Sequence, residues 1–261
     1  MKKIVSLFSV VALLFASCSK DDSVNSKSEN LILPKTIKLS DPNYSSENLT
    51  NTFKYDGNKI VSITNERGKT EYTYNGNLIV KEVNSSTATG IQKEISYSYA
   101  NGKLAKALTV VPNNYSYELV YTDNNDGTFK VESYSINQKT GVKTKSNNVE
   151  TLTFSNGNLN KAVLTYGNTV ETNVYDYDTQ SNPFKNIEGF NLLNRVDISS
   201  QLNILSANNI IKQTSFNIYD TVVSDLTIYT SKYDYDTKGY PIKKTLNNPD
   251  GTVNKIYEYI Y

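Results

Sequence analysis

The 261-residue chain has no histidine, no tryptophan, one cysteine and one methionine. Without histidine there is no imidazole general base, no Ser-His or Cys-His nucleophile pair, and none of the commonest zinc ligand. A single cysteine, Cys18, leaves no intramolecular disulfide, so packing and hydrogen bonds must hold the fold. The one Ser-x-x-Lys spacing, Ser17 to Lys20, lies at the extreme N-terminus, far from any strand-like run. No Gly-rich phosphate loop joins a strand to a helix. Neither sign of charge dominates, with 27 basic and 26 acidic side chains and no basic cluster. That balance argues against nucleic acid as a partner. The composition therefore leaves carboxylates as the residues on which an enzyme would have to rely. Their spacing alone brings no two of them together, and no cofactor is expected.

Long apolar runs are also scarce. The clear one, Ile4 to Phe15, is twelve residues, too short to cross a bilayer of about 30 Å as a helix. It follows Met1-Lys2-Lys3 and precedes Ala16-Ser17-Cys18, the three-part layout of a secretory signal. Small residues and then Cys18 at the end of the apolar run resemble the lipobox of bacterial lipoproteins, with Phe15 where Leu is usual. The resemblance implies cleavage before Cys18 and lipidation of its thiol, leaving 25 basic against 26 acidic side chains. Ser19-Lys20-Asp21-Asp22 resembles the acidic surface-export signal of Bacteroidetes lipoproteins, and the polar stretch to Asn30 also reads as a solvated tether. Asp22-Ser23-Val24 and Asp220-Thr221-Val222 resemble the O-glycosylation acceptor of the same bacteria, at Ser23 and Thr221.

Tyrosine, by contrast, is abundant, with 21 residues, and it is periodic. Phe53-Lys54-Tyr55 precedes Asp56-Gly57, Tyr72-Thr73-Tyr74 precedes Asn75-Gly76, and Tyr97-Ser98-Tyr99 precedes Asn101-Gly102. Leu152-Thr153-Phe154 leads to Asn156-Gly157, Tyr233-Asp234-Tyr235 leads to Gly239, and the chain closes on Tyr257-Glu258-Tyr259-Ile260-Tyr261. A second alternating run follows each turn, as in Lys59–Ile63, Leu78–Val83, Leu104–Val110, Leu159–Leu164 and Ile242–Leu246. Spacing of two puts alternate residues on one face of a strand, and Asn-Gly or Asp-Gly accepts the positive φ of a tight hairpin. In Ser116 to Tyr121, for instance, Tyr117, Leu119 and Tyr121 share a face. Asp123-Asn124-Asn125-Asp126-Gly127 is a turn rather than an EF-hand, because the first and last ligand positions would be Thr122 and Ser133.

These observations predict an all-β fold, an elongated antiparallel sheet built as a meander of repeated hairpins. Residues 1–17 are read as signal peptide, 18–30 as lipidated cysteine and tether, and 31–261 as one repetitive β domain. Leu31 to Thr50 reads as a lead-in strand and loop. An irregular or short-helical insertion is expected around 186–213, packed over one sheet face, because Leu192, Leu193, Val196, Ile198, Leu202, Ile204 and Leu205 follow neither clean period. Tyr233-Asp234-Tyr235-Asp236-Thr237-Lys238-Gly239 resembles the YD repeat of Rhs and teneurin-type proteins, and Tyr175 to Phe184 resembles a segment of Bacteroidetes surface lipoproteins. That resemblance implies an antiparallel sheet and brings no established activity. The stretch is too short for a closed Rhs-like shell.

Three functions compete on this reading. The first is a lipid-anchored outer-membrane protein facing the cell exterior, with a non-enzymatic binding or structural role, exposed tyrosines as candidate contacts, and a glycan or protein as ligand. A periplasmic envelope scaffold and a carboxylate-dependent glycan-active enzyme are the alternatives. A membrane-spanning barrel is disfavoured, because Lys161 alternates in step with Leu159 and Val163, and Lys244 with Ile242 and Leu246, while the other faces hold Asn160, Lys243 and Thr245, so neither side is clean.

Overall fold

The computed structural model describes residues 31–193 and 206–261. The signal segment, Cys18, Ser19, Lys20, Asp21, Asp22 and Ser23 lie outside the described residues, as does the 194–205 part of the expected insertion. Leu31–Tyr261 is one compact unit.

The unit contains seventeen described strands: β1 Thr36–Ser40, β2 Leu49–Asp56, β3 Lys59–Asn65, β4 Gly68–Asn75, β5 Leu78–Ser86, β6 Gly90–Ala100, β7 Lys103–Val110, β8 Ser116–Asp123, β9 Thr128–Ile136, β10 Lys143–Ser155, β11 Asn158–Tyr166, β12 Thr169–Ser181, β13 Asn208–Tyr219, β14 Val222–Val223, β15 Thr227–Tyr235, β16 Pro241–Asn247 and β17 Val253–Ile260. Each predicted hairpin run falls within one of these strands. The sheet, however, is not open. β1 pairs antiparallel with β2 on one side and with β17 on the other, so the meander closes into a barrel through every strand except the two-residue β14. The lead-in strand is therefore the closing strand. Closure removes both free edges of the expected elongated sheet, each a row of unpaired backbone groups. Leu31–Tyr261 thus carries its own core and its own strand pairing, the marks of an independently folding unit.

The Tyr-x-Tyr repeat has a physical reason. In five hairpins the register shifts by one residue just before the second aromatic, at Lys54/Tyr55, Thr73/Tyr74, Ser98/Tyr99, Thr153/Phe154 and Asp234/Tyr235. A bulge of this kind leaves backbone groups outside the ladder. Tyrosine hydroxyls from the next hairpin satisfy them. Tyr99 donates to the Ile79 carbonyl at 2.7 Å, Tyr177 to Leu159 at 2.6 Å, and Tyr261 to Pro241 at 2.9 Å. Tyr74 accepts the Ile60 N–H at 3.1 Å, and Tyr55 donates to Pro34 O at 2.8 Å across the closure. The rings thus form an inward girdle that stitches hairpin to hairpin, and burial pushes the Tyr74, Tyr99 and Tyr177 hydroxyls up to about 12.

Beside this girdle lies an apolar core. Ile37, Ile60, Ile79, Ile95 and Leu152 are fully buried. The expected insertion begins four residues earlier than predicted, after Ser181, and its described part, 182–193, does not lie over an outer face. Residues 182–193 enter the core, where Phe184, Ile187, Phe190 and Leu193 are buried. Phe184 packs on Phe53 and Phe190, and Phe190 meets Tyr72 edge-on at 5.8 Å. The helical part is a single 3-10 turn, Phe190–Leu192. Gly189 precedes it with φ of 70°, and a Cβ there would sit 2.5 Å from Asn77 O, so this glycine lets the segment pass close to the β4–β5 turn. Tyr74 donates to Glu188 O and Asn58 Nδ2 to Glu188 Oε2, both at 3.0 Å, fixing this plug to the wall.

The outer face carries charge. Read from the pairing, Lys38, Lys54, Glu71, Lys81, Glu94, Lys106, Glu118, Lys130, Lys143, Lys161, Asp176, Lys212, Lys232, Lys243 and Glu258 face outward, one on each barrel strand except β3. Several pair across strands, including Lys81–Glu94 at 2.9 Å and Lys143–Glu118 at 2.8 Å. The bulges correct two details of the alternation. Lys161 and Val163 face outward while Leu159 points in, and Lys244 and Leu246 point in while Ile242 is exposed.

Candidate ligand-binding site

The β11–β12 ladder ends at the pair Lys161 and Val174, beyond which the two strands part. Residues 206–208 run along the β11 side of the gap. Ala207 N–H donates to Gly157 O at 3.0 Å, and Asn158 and Asn208 exchange hydrogen bonds at 3.0 Å. Leu159 has no ladder partner on β12, so its N–H takes Ser206 Oγ at 3.3 Å and its carbonyl takes the Tyr177 hydroxyl. The gap leaves a cleft of about 480 Å³. Its lining is Tyr175 and Tyr177 with a ring of short polar side chains, among them Asn158, Asn160, Asp176, Asp178 and Asn208. Asp178 is held by the Tyr235 hydroxyl and by the Asn209 N–H at 3.1 Å. Amides and carboxylates around aromatic rings can meet paired hydroxyls while ring faces cover apolar C–H surfaces. The volume suits a small polar molecule.

Inside the wall, the inward face of β10–β13 changes from aromatic to polar away from the girdle. Tyr175 and Tyr177 share this face with Asn173 and Glu171 on β12, and Leu152 and Phe154 share it with Glu150 on β10. Glu150 pairs with Leu164, and Leu164 with Glu171, so one strand separates the two carboxylates. Burial and then the Glu171 charge push Glu150 up to about 7. Asn173 donates to Glu171 Oε1 at 3.2 Å and accepts from Gln213 and Ser215. Tyr175 is 2 % exposed, yet its hydroxyl has no hydrogen-bond partner among the described residues. Farther round, Lys244 points inward across the Tyr257 and Tyr233 rings, with its nitrogen 5.2 and 5.9 Å from their centroids, and desolvation lowers its amine to about 8.

Of the modification sites expected from the sequence, Thr221 is described. It lies exposed in the turn between β13 and β14, beside Asp220 at φ of 52°. The repeat tyrosines are ladder residues of the interior, not surface contacts. Tyr44, Tyr115 and Tyr219, outside the repeat, are the strongly exposed ones. Glu150, Glu171, Asp176 and Asp178 were not singled out from the sequence. The available signal was alternation: Glu171-x-Asn173-x-Tyr175 and Glu150-x-Leu152-x-Phe154 put acids on the aromatic face. No group of three or more His, Cys, Asp or Glu among the described residues is arranged to hold a metal ion.

No family model and no curated sequence matches the chain. Its fold is similar to that of two crystal structures. A porin-like protein from Bacteroides vulgatus matches with a TM-score of 0.59 at 13% identity, over 88% of this chain and 99% of that one. A porin-like protein from Bacteroides uniformis matches with a TM-score of 0.51 at 10% identity, over 87% and 97% of the two chains. At these identities the likeness is one of fold: this chain is an antiparallel closed β-barrel of the kind those two proteins share.

Proposed function

We propose that this protein is a lipid-tethered envelope barrel, held at the outer membrane through Cys18 and facing the exterior, that binds a polar ligand without transforming it. The observation that carries the reading is the inversion of the wall. Charged side chains face outward on fifteen strands, while the inside holds an apolar, tyrosine-rich core into which the 182–193 plug packs. Burying an outward lysine in lipid costs roughly 2–4 kcal/mol at the bilayer midplane, whereas a water-facing barrel bears no such cost. The wall cleft between β11 and β12, with its two tyrosines and many short amides and carboxylates, suits a glycan.

The test has two parts. Protease shaving of intact cells should release peptides from residues 52–261; full protection until lysis would put the barrel in the periplasm and favour the scaffold reading. The purified barrel should be retained on a glycan array, and Asn158→Ala with Asp176→Ala should abolish retention. Absence of retention on any glycan would remove the cleft from the account.

A second reading, a membrane-inserted pore, draws on the shared fold and on outward Leu108, Val120, Val163, Val174, Phe216 and Ile228. Ion conductance after reconstitution into planar bilayers would favour it.

A further inference from the structure

Three groups with unmet hydrogen-bonding capacity share the inward face of β10–β12. Among the described residues Glu150 makes no hydrogen bond and no ion pair. Glu171, facing it across β11, accepts one amide N–H from Asn173. Tyr175, four residues along the same face of β12, is 2 % exposed with an idle hydroxyl, and that hydroxyl feels the charge of both carboxylates. Strand spacing sets the two glutamate backbones about 10 Å apart, and inward side chains on a curved wall converge from there.

The groups opposite are neutral. Val131 on β9 and Leu164 on β11 pair with Glu150, Asn217 on β13 with Glu171, and Gln213 with Tyr175. No lysine or arginine occupies these facing positions. The inward Lys244 is instead placed over its own tyrosine pair. Among the described residues no cation stands between the two carboxylates and the phenol, an arrangement that costs stability where it is desolvated. Such a cluster is stabilised by a ligand that brings positive charge and several N–H donors.

We propose that Glu150, Glu171 and Tyr175 form a binding site for the protonated primary amine of a small molecule. The ammonium donates to both carboxylates and to the phenolic oxygen, and its three N–H bonds match these three acceptors. A free aliphatic diamine and an amino sugar present the same headgroup. The site shares Tyr175 with the wall cleft, but its two carboxylates lie on the inner wall, and it does not depend on the cleft taking a glycan.

The test is calorimetric titration of the 31–261 barrel with 1,4-diaminobutane and with glucosamine. N-acetylglucosamine and tetramethylammonium serve as probes lacking the amine charge and the N–H donors, respectively. At least one amine should bind and neither control should. Binding of the diamine alone identifies an aliphatic amine as the ligand class, and binding of glucosamine alone an amino sugar. Glu150→Gln or Glu171→Gln should weaken binding tenfold or more, Tyr175→Phe several-fold, and Lys161→Ala on the outer wall not at all. In the unmutated barrel, affinity for 1,4-diaminobutane, whose amines stay protonated throughout, should rise between pH 6 and pH 8 as Glu150 ionises, a readout that needs no variant to fold. Failure of both amines to bind, equal binding by N-acetylglucosamine, or equal binding to the Glu150→Gln/Glu171→Gln double variant would each overturn the proposal.

Discussion

Glu150→Gln should stabilise the empty barrel at alkaline pH and leave it unchanged near pH 4. The wild-type carboxyl is held at about 7 against an ordinary 4.5, by burial and by Glu171. Below pH 4.5 the residue is protonated folded and unfolded alike and contributes nothing to pH dependence. Between 4.5 and 7 the unfolded chain releases the proton while the fold retains it, so stability falls as pH rises. Above 7 the full cost is present. At 1.36 kcal/mol per pH unit that cost is about 3 kcal/mol, an upper figure because part of the side chain meets water. Glutamine carries no charge to desolvate and removes the cost. For a barrel of this size about 3 kcal/mol corresponds to roughly 6–12 °C in melting temperature. Thermal melts of the two proteins from pH 4 to pH 8.5 should therefore coincide at the acid end and diverge through pH 5–7, the variant melting higher. Parallel curves, or a variant melting lower at pH 8, would refute the reasoning.

Tyr99→Phe removes the hydroxyl that satisfies the Ile79 carbonyl beside a bulge, and denaturant titration should show a loss of about 1–2 kcal/mol. Phe184→Ala empties the centre of the plug, where the ring touches both Phe53 and Phe190; a loss of about 3–5 kcal/mol is expected, and a near-neutral effect would mean the plug is not part of the core. Lys244→Met should raise the melting temperature at pH 7. The lysine is held at about 8, below its ordinary 10.5, so the wild-type cost is present below pH 8 and disappears as pH rises towards 10.5; the variant's advantage should vanish there.

The hairpins were legible because their code is local. Phe53-x-Tyr55 before Asp56-Gly57 states face, period and turn within five residues. Closure was not legible, because the pairing of Thr36–Ser40 with Val253–Ile260 joins segments more than 200 residues apart, and nothing in either names the other. The bulges misled the alternation at Leu159 and Ile242, where one extra residue flips the face. Residues 182–193 showed no clean period because Phe184, Ile187, Phe190 and Leu193 enter the core from an irregular plug, not from one face of a strand or long helix. The cleft and the acid pair arise where strands part or converge, a property of the closed wall that no single strand carries. Glu171 and Tyr175 share a face on paper, but the idle Tyr175 hydroxyl appears only once its neighbours are in place.

The central claim is that this barrel faces water on the outside. Sedimentation velocity of residues 31–261, purified without detergent, tests it most directly. The account predicts a single monodisperse species whose sedimentation is unchanged by added detergent. Aggregation in the absence of detergent, with recovery of a discrete species only in micelles, would contradict it and return the barrel to the membrane.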